Sequence, residues 1–421
     1  MASEERRKGF LAAASSGCMK QVKRFAKRLQ NLDEVEDAEG RTALHFAAAG
    51  GHTAVCDHLI KKLKLGVNVK DAKGNTPLIV AIDKDQTATA LYLIETGGAD
   101  IMMFNQNGLM PLHCAALRGN TEVLQLLISN GAVIETGSKF GTPLQCAVTA
   151  DKKEAVKILL DNLANPNLVA GSFASPLMLS IAHDSLDCFL LLLEAGAIPD
   201  LPSSLRRTPL NVAAFFGKTE IIKYLLKSGA NPDVTDAYGL TALEHAAVNG
   251  KVEAIKILFP VTSRIPSFPD WSIDGIMVSI SSADGRKKIT SKMQEIFRIA
   301  KANGLAAFKE ENYAVACTWF SAAVSADPDD ASVLSNRSLC FLRLNNGDLA
   351  LADAEKCVSL KPNWAKAHYR EGAAWMFLDN YSMATKAFAE ALKLEPDNVE
   401  LKKAHAKALL MLNLVSMSQR I

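Results

Sequence analysis

One seven-residue phrase recurs along the first part of the chain, and this repetition constrains the fold more than any other feature. The first residues of successive copies lie 34, 34, 32, 33, 33 and 33 positions apart. The copies are Thr42–Ala48 (TALHFAA), Thr76–Ile82 (TPLIVAI), Met110–Ala116 (MPLHCAA), Thr142–Val148 (TPLQCAV), Ser175–Ile181 (SPLMLSI), Thr208–Ala214 (TPLNVAA) and Thr241–Ala247 (TALEHAA). A fixed period of this length indicates a solenoid in which each repeat packs only against its neighbours.

The phrase itself predicts the start of a helix. Thr or Ser caps the helix, and Pro suits its first turn because the missing N–H would have had no partner there. The Leu and Ala residues would face the next repeat. A second helix follows in each repeat, such as Glu122–Ile128, and it is expected to end near a glycine, such as Gly131. The segment from Gly9 to Leu29 has the same helix pair without the phrase, which predicts an N-terminal cap.

This T-P-L-H-x-A phrase and its period resemble the ankyrin repeat. The resemblance implies seven ankyrin repeats joined by short β-hairpin fingers, which are the usual binding face. Four apolar residues stand on successive fingers, and they form a candidate partner surface: Phe140, Phe173, Leu205 and Tyr238. An exposed apolar row usually indicates contact with a partner. The alternative is that each of these side chains folds over its own repeat. For His45 and His113, which fill the His of the phrase, we expect structural hydrogen bonds.

A second period, of 34 residues, begins at Phe297. It gives three blocks, 297–330, 331–364 and 365–398, which prolines close at Pro328, Pro362 and Pro396. Small residues recur at fixed places, and the positions match the tetratricopeptide (TPR) repeat, a helix–turn–helix unit. The following segment continues as a helix that would cover the last repeat. We therefore predict an all-α chain with three parts: a cap and seven ankyrin repeats at 1–260, a partly ordered linker at 261–292, and three TPR repeats with a capping helix at 293–416.

The first helix of each TPR lines the concave groove of such a module, so its polar residues are candidates for ligand binding. The groove set is Lys301, Asn336, Arg343, Lys366 and Arg370. Lys366 and Arg370 are four residues apart, on one helix face. Basic donors that converge with an amide suit a terminal carboxylate and acidic side chains, because charge-assisted hydrogen bonds are strong. The alternative is that these cations form a solvated helix face.

Three short stretches resemble the carboxylate clamp of co-chaperone TPR domains, as in the heat-shock organising protein. They are Lys301–Gly304 (KANG), Ser335–Ser338 (SNRS) and Lys366–Arg370 (KAHYR). Such clamps hold the Glu-Glu-Val-Asp tails of cytosolic heat-shock chaperones. By this resemblance Lys301, Asn336, Lys366 and Arg370 fill four of five clamp positions. The fifth is normally Asn and is Leu305 here, which implies a weaker clamp or a different tail, since a hydrogen bond to a charged group contributes about 1.5–3 kcal/mol.

Composition and motifs exclude other classes of function. The chain has 421 residues, a net charge of +2 and eight cysteines without a C-x-x-C pair. We therefore expect reduced thiols, no disulfide framework and no metal site. Nucleophile elbows, phosphate-binding loops and metalloprotease phrases are absent, so we expect no catalytic residue, cofactor or small-molecule substrate.

The small net charge argues against nucleic acid as a partner. The opening sequence MASEERRKGF lacks the apolar run of a signal peptide, and no apolar stretch is long enough to span a membrane. A cytoplasmic location follows, with a nuclear one also open.

These observations predict a protein-binding adaptor. The layout resembles plant ankyrin–TPR proteins, which implies a co-chaperone-like role: the TPR groove binds a chaperone tail, and the ankyrin face binds a client or signalling protein. The alternative is a scaffold for signalling proteins or transcription regulators whose TPR groove binds a different acidic peptide. The ankyrin partner is not identified by the sequence.

Overall fold

The computed structural model describes residues 2–138, 140–169, 174–203, 206–236, 239–266, 268–344 and 346–418. The chain divides into two compact units, Met1–Ser263 and Arg264–Ile421, called here the first and the second unit. Among the described residues, no helix combines the length and the apolar character needed to cross a bilayer. The predicted linker at 261–292 contains the helix Ile273–Ser281 and the start of the next helix. Its boundaries stay a prediction.

The described part of the first unit contains eight helix pairs, the first of which is the predicted cap. In chain order the helices are α1 Ala2–Ser15, α2 Met19–Ala26, α3 Ala43–Ala49, α4 Thr53–Asp57 (continued by a π-helical turn, His58–Lys62), α5 Pro77–Asp83, α6 Thr87–Glu95, α7 Pro111–Arg118, α8 Thr121–Ser129, α9 Pro143–Thr149, α10 Lys153–Asp161, α11 Pro176–Ala182, α12 Leu186–Glu194, α13 Pro209–Phe216, α14 Thr219–Lys227, α15 Ala242–Val248 and α16 Val252–Leu258. The first helix of each pair packs against the first helix of the next pair.

Helix starts follow the chemistry of the repeated phrase. The Thr76 hydroxyl accepts a hydrogen bond from the N–H of Ile79, and Pro77 occupies the first turn. Ser175 caps α11 in the same way, through the N–H of Met178. The leucine of every phrase is buried, which fixes the face that each helix turns to its neighbours: Leu44, Leu78, Leu112, Leu144, Leu177, Leu210 and Leu243.

The prediction of β-hairpin fingers is wrong: in the described part of the chain the connections are tight turns, with only two isolated bridges, Glu36–Thr42 and Ser138–Gly141. The reason is local hydrogen bonding. Asp37 accepts from the backbone N–H groups of Glu39 and Arg41 through one carboxylate oxygen. Asp71 and Asn105 repeat this arrangement. Side chains that bind the backbone two and four residues ahead favour a turn over a strand ladder.

The second unit is a run of helices in which each helix packs against the next. They are α17 Ile273–Ser281, α18 Ala283–Lys309, α19 Tyr313–Ala326, α20 Ala331–Arg343, α21 Gly347–Leu360, α22 Ala365–Phe377, α23 Tyr381–Leu394 and α24 Val399–Ser418. The pairs α18–α19, α20–α21 and α22–α23 are the three repeats, and α24 packs on α23.

Close contact within each repeat depends on small residues at one position of its first helix. A Cβ atom added to Gly304 would lie 2.7 Å from the ring of Phe320, and one added to Gly372 would lie 2.6 Å from the ring of Phe388. In the middle repeat this position is Ser338, whose hydroxyl donates to the carbonyl oxygen of Ala350 at 2.8 Å. The packing therefore fixes how each first helix is turned, and with it the direction of the groove residues.

Candidate functional site

The predicted clamp residues lie on the three first helices of the second unit. Lys301 and Leu305 are on α18, Asn336 and Arg343 are on α20, and Lys366 and Arg370 are on α22. Helices α20 and α22 pack directly against each other. Helix α18 contacts the start of α20 through Lys301, which is hydrogen-bonded to Asp330 and Ser332.

Lys366 and Arg370 are cations without a carboxylate partner among the described residues. Lys366 is exposed, and its Nζ lies 5.8 Å from the ring centre of Trp364. Partial burial of its ammonium group lowers the pKa of Lys366, and the nearby charge of Arg370 lowers this pKa further. Burial likewise lowers the pKa of Arg370, with a contribution from the charge of Arg343. The pair is a concentration of positive charge that the described protein does not neutralise.

Arg370 also joins the two helices at the level of Asn336. Its Nε donates to the carbonyl oxygen of Ser335 at 3.1 Å, and its guanidinium carbon lies 5.7 Å from the ring centre of Tyr369. Asn336 is the next residue along α20 and is half-buried. Arg370 therefore reaches the turn of α20 that carries Asn336.

Arg343 lies farther along α20, in its last turn. It is exposed, and its guanidinium carbon lies 5.8 Å from the ring centre of Tyr313, at the start of α19. It contributes charge to the surface near Arg370, but the contact with Tyr313 shows that this side chain extends towards the first repeat.

Lys301 differs from the other cations because it already has an acidic partner. Its Nζ donates to Oδ2 of Asp330 at 2.8 Å and to the Ser332 hydroxyl at 2.9 Å, and lies 5.0 Å from the ring centre of Phe297. Leu305, one turn further along α18, is 39% exposed. The α18 side of the groove therefore combines a neutralised lysine with an apolar side chain.

Sequence reasoning missed two residues of this site, Asp330 and Ser332. A signal was present: Asp330 stands immediately before a predicted helix, where Asp commonly caps the backbone. It does cap α20, through the N–H of Val333 at 2.8 Å. That one of its oxygens is also aimed at Lys301, 29 residues earlier, could not be read from spacing.

The candidate surface on the first unit is mostly outside the described residues. Phe173, Leu205 and Tyr238 are not among the described positions. Phe140 is half-buried, and its backbone N–H donates to the Ser138 hydroxyl at 3.2 Å. The predicted row of four therefore stays a prediction.

Comparison with known families now adds to this geometry. A model described as ankyrin repeats matches three times, at residues 10–105, 98–170 and 177–266, which together cover more than half of the chain. The chain belongs to the ankyrin-repeat family. A model described as tetratricopeptide repeat matches residues 365–398, the repeat that carries Lys366 and Arg370. The protein thus has ankyrin repeats followed by a TPR domain.

Curated relatives match over a limited length. Hsp70-Hsp90 organizing protein 3 of Arabidopsis thaliana is 38% identical over 100 residues, 24% of this chain and 18% of that protein. Heat shock protein sti1 homolog of Schizosaccharomyces pombe is 40% identical over 101 residues, 24% and 17% of the two chains. Hsp70-Hsp90 organizing protein 1 of Glycine max is 44% identical over 102 residues, 24% and 18%. The chain spans less than a fifth of the length of these relatives.

Both repeat types present extended protein-binding surfaces, so this ankyrin-repeat protein is a repeat-based interaction adaptor.

Proposed function

We propose that this protein is a co-chaperone-like adaptor rather than an enzyme. Its TPR groove binds the acidic C-terminal tail of a cytosolic heat-shock chaperone, and its ankyrin unit binds a client or signalling protein. The names of the relatives, which contain Hsp70 and Hsp90, support a chaperone as the partner of the TPR groove. The predicted row at Phe140, Phe173, Leu205 and Tyr238 remains the proposed contact for the client.

The observation that carries this proposal is the pair Lys366 and Arg370 beside Asn336. The charges of Lys366 and Arg370 repel each other, and neither residue has a carboxylate partner among the described residues. Arg370 is half-buried. A ligand carboxylate removes that repulsion and accepts charge-assisted hydrogen bonds, each of which contributes about 1.5–3 kcal/mol. A peptide that ends in Asp offers two carboxylates close together, and this charge distribution matches the α20–α22 surface.

A second candidate is a scaffold for signalling proteins or transcription regulators. The α18 side of the groove favours it, because Leu305 replaces the amide of the clamp pattern and Lys301 is bound to Asp330. An acidic peptide with a different sequence near its end would suit that side better than a tail that needs all five polar donors of the clamp pattern.

The two candidates separate in a titration of the full-length protein with fluorescent peptides. One peptide ends in Glu-Glu-Val-Asp with a free carboxylate, the second is its C-terminal amide, and the third has the same composition in scrambled order. The proposal requires saturable binding of the free acid and clearly weaker binding of the amide. Equal affinity for the ordered and scrambled acids would favour the scaffold, and the absence of any carboxylate dependence would contradict the clamp.

Lys366→Glu tests the site itself. The variant removes one charged hydrogen bond and places a negative charge beside Arg370, so affinity for the free acid should fall by more than about a hundredfold. Lys386→Glu is the matched control, since Lys386 is exposed on α23 and the change in net charge is the same. If the two variants weaken binding equally, the effect is long-range charge and the assigned site is wrong.

A further inference from the structure

The sequence predicts that Lys301 binds the ligand, but in the structure its ammonium group is hydrogen-bonded to other residues of the protein. Two of the three N–H donors of its ammonium group go to Asp330 and Ser332, at 2.8 and 2.9 Å. The two charged side chains are 30% and 20% exposed, so water does not fully screen the pair. The Ser332 hydroxyl also donates to the other oxygen of Asp330, which closes a three-residue network.

Asp330 is held in its ionised form. Burial alone would raise the pKa of Asp330, but hydrogen bonds from Lys301, Ser332 and Val333 outweigh burial and lower the pKa. At neutral pH a negative charge therefore stands next to the lysine that the clamp pattern assigns to the ligand. A ligand carboxylate arriving at Lys301 meets one free N–H donor and the repulsion of Asp330.

The opposite side of the groove has no such internal acid among the described residues. Lys366 lies against Trp364, and Arg370 donates to a backbone carbonyl. The positive charge of the groove is therefore unevenly distributed: it is partly cancelled on α18 and uncompensated on α22. Leu305 makes the α18 side still less suited to an acidic group.

We infer that Asp330 is a specificity-determining residue, an internal carboxylate that competes with the ligand for Lys301 and confines strong carboxylate binding to Asn336, Lys366 and Arg370. This inference rests on the proposed function. It predicts a groove that tolerates neutral or apolar ligand residues on the α18 side and takes the terminal carboxylate on the α22 side.

Capping of α20 does not by itself explain the acid at this position. Asn caps helices about as well as Asp, and Asn would accept the N–H of Val333 without competing for Lys301. The substitution Asp330→Asn therefore separates the two roles of the residue. Asp329→Asn is the matched control, because Asp329 is the preceding residue, carries the same charge and pairs with Lys356 at 3.4 Å, away from Lys301.

The test is the titration of the full-length protein with the Glu-Glu-Val-Asp peptide and its amide. Asp330→Asn should bind the free acid roughly three- to tenfold more tightly than the wild type, as expected for release of one partly exposed ion pair. Asp329→Asn should leave the affinity unchanged within about twofold. Equal gains in both variants would mean that net charge alone acts, and would overturn the inference.

A double-mutant cycle with Lys301→Ala shows whether Asp330 acts through Lys301. In the Lys301→Ala background, Asp330→Asn should give no gain, because the coupling is removed. A gain that persists there overturns the inference, while the clamp proposal survives. If the wild type does not bind and Asp330→Asn does, the internal acid blocks the site and the inference holds. If neither binds, both the proposed function and the inference fail.

Discussion

The two units treat the polar residues of their first helices differently. In the ankyrin unit the two histidines at the fourth position of the repeated phrase are buried and hydrogen-bonded within the array. His45 accepts a hydrogen bond from the N–H of Thr42 at 3.1 Å. It donates one at 3.0 Å to the carbonyl oxygen of Asn75, which lies just before the phrase of the next repeat. His113 does the same with Met110 and Thr136. In the second unit Lys366 and Arg370 have no carboxylate partner among the described residues, whereas Lys301 is paired with Asp330.

This difference separates polar residues that hold a solenoid together from those that we propose to bind a ligand. Buried hydrogen-bond donors and acceptors need partners. An array of repeats whose own residues are these partners becomes a rigid scaffold. Even within α20 the two roles alternate. Asn336 is proposed to bind the ligand, while Arg337 forms two hydrogen bonds of 2.7 Å with the carboxylate of Asp353, in the interior between α20 and α21.

The largest expected effect comes from Arg337→Ala. It leaves the buried carboxylate of Asp353 without a cation, so the free energy of unfolding of the second unit should fall by about 3–5 kcal/mol. All four tryptophans, Trp271, Trp319, Trp364 and Trp375, lie in this unit, so tryptophan fluorescence during denaturation reports it selectively.

Arg370→Ala is the companion variant for that measurement. Since Arg370 has no carboxylate partner among the described residues, its loss should change stability by less than about 1 kcal/mol while it weakens peptide binding. Comparable destabilisation by the two substitutions would remove the distinction between structural and groove cations.

The second prediction concerns pH and the ankyrin unit. Burial lowers the pKa of His113 from 6.5 to about 4 in the folded protein. Between these values the unfolded chain binds more protons, so stability is complete above pH 6.5 and is lost as the pH falls towards 4. The loss attributable to this residue is about 3 kcal/mol, and circular dichroism during urea denaturation from pH 7.5 to 4.5 would measure it.

His113→Gln isolates that contribution. Gln145 occupies the same position of the next repeat and makes both bonds with its amide, to Thr142 and Ala174, at 2.9 and 3.0 Å. The variant should therefore fold at neutral pH and lose less stability on acidification than the wild type. A pH dependence identical to that of the wild type would show that the histidine does not stay neutral in the folded array.

The smallest expected effect is a gain in binding from Leu305→Asn. An amide at this exposed position of α18 restores the fifth donor of the clamp pattern, and the affinity for the free-acid peptide should rise roughly three- to tenfold. Leu394→Asn on α23 is the control, because both leucines are 39% exposed. No gain, or the same gain in both variants, would place Leu305 outside the peptide contact.

Much of the fold followed from periodicity. The positions of the helix pairs, the caps at Thr76 and Ser175, and the small residues at Gly304 and Gly372 are consequences of chemistry within one repeat, which a single repeat already contains. The hairpin prediction failed because Asp37 and its counterparts bind their own turn, and the family pattern does not reveal how a particular side chain divides its hydrogen bonds.

The sequence by itself determined that this protein is two arrays of helix pairs, and it placed Lys366 and Arg370 on one helix face, since a spacing of four residues suffices for that. Only the tertiary structure decided which of the predicted groove cations are engaged by other residues of the protein. The ion pair between Lys301 and Asp330 joins residues 29 positions apart, and the contact of Arg370 with Ser335 spans 35. Such pairings depend on how helices pack and turn against each other, which no local pattern of residues specifies.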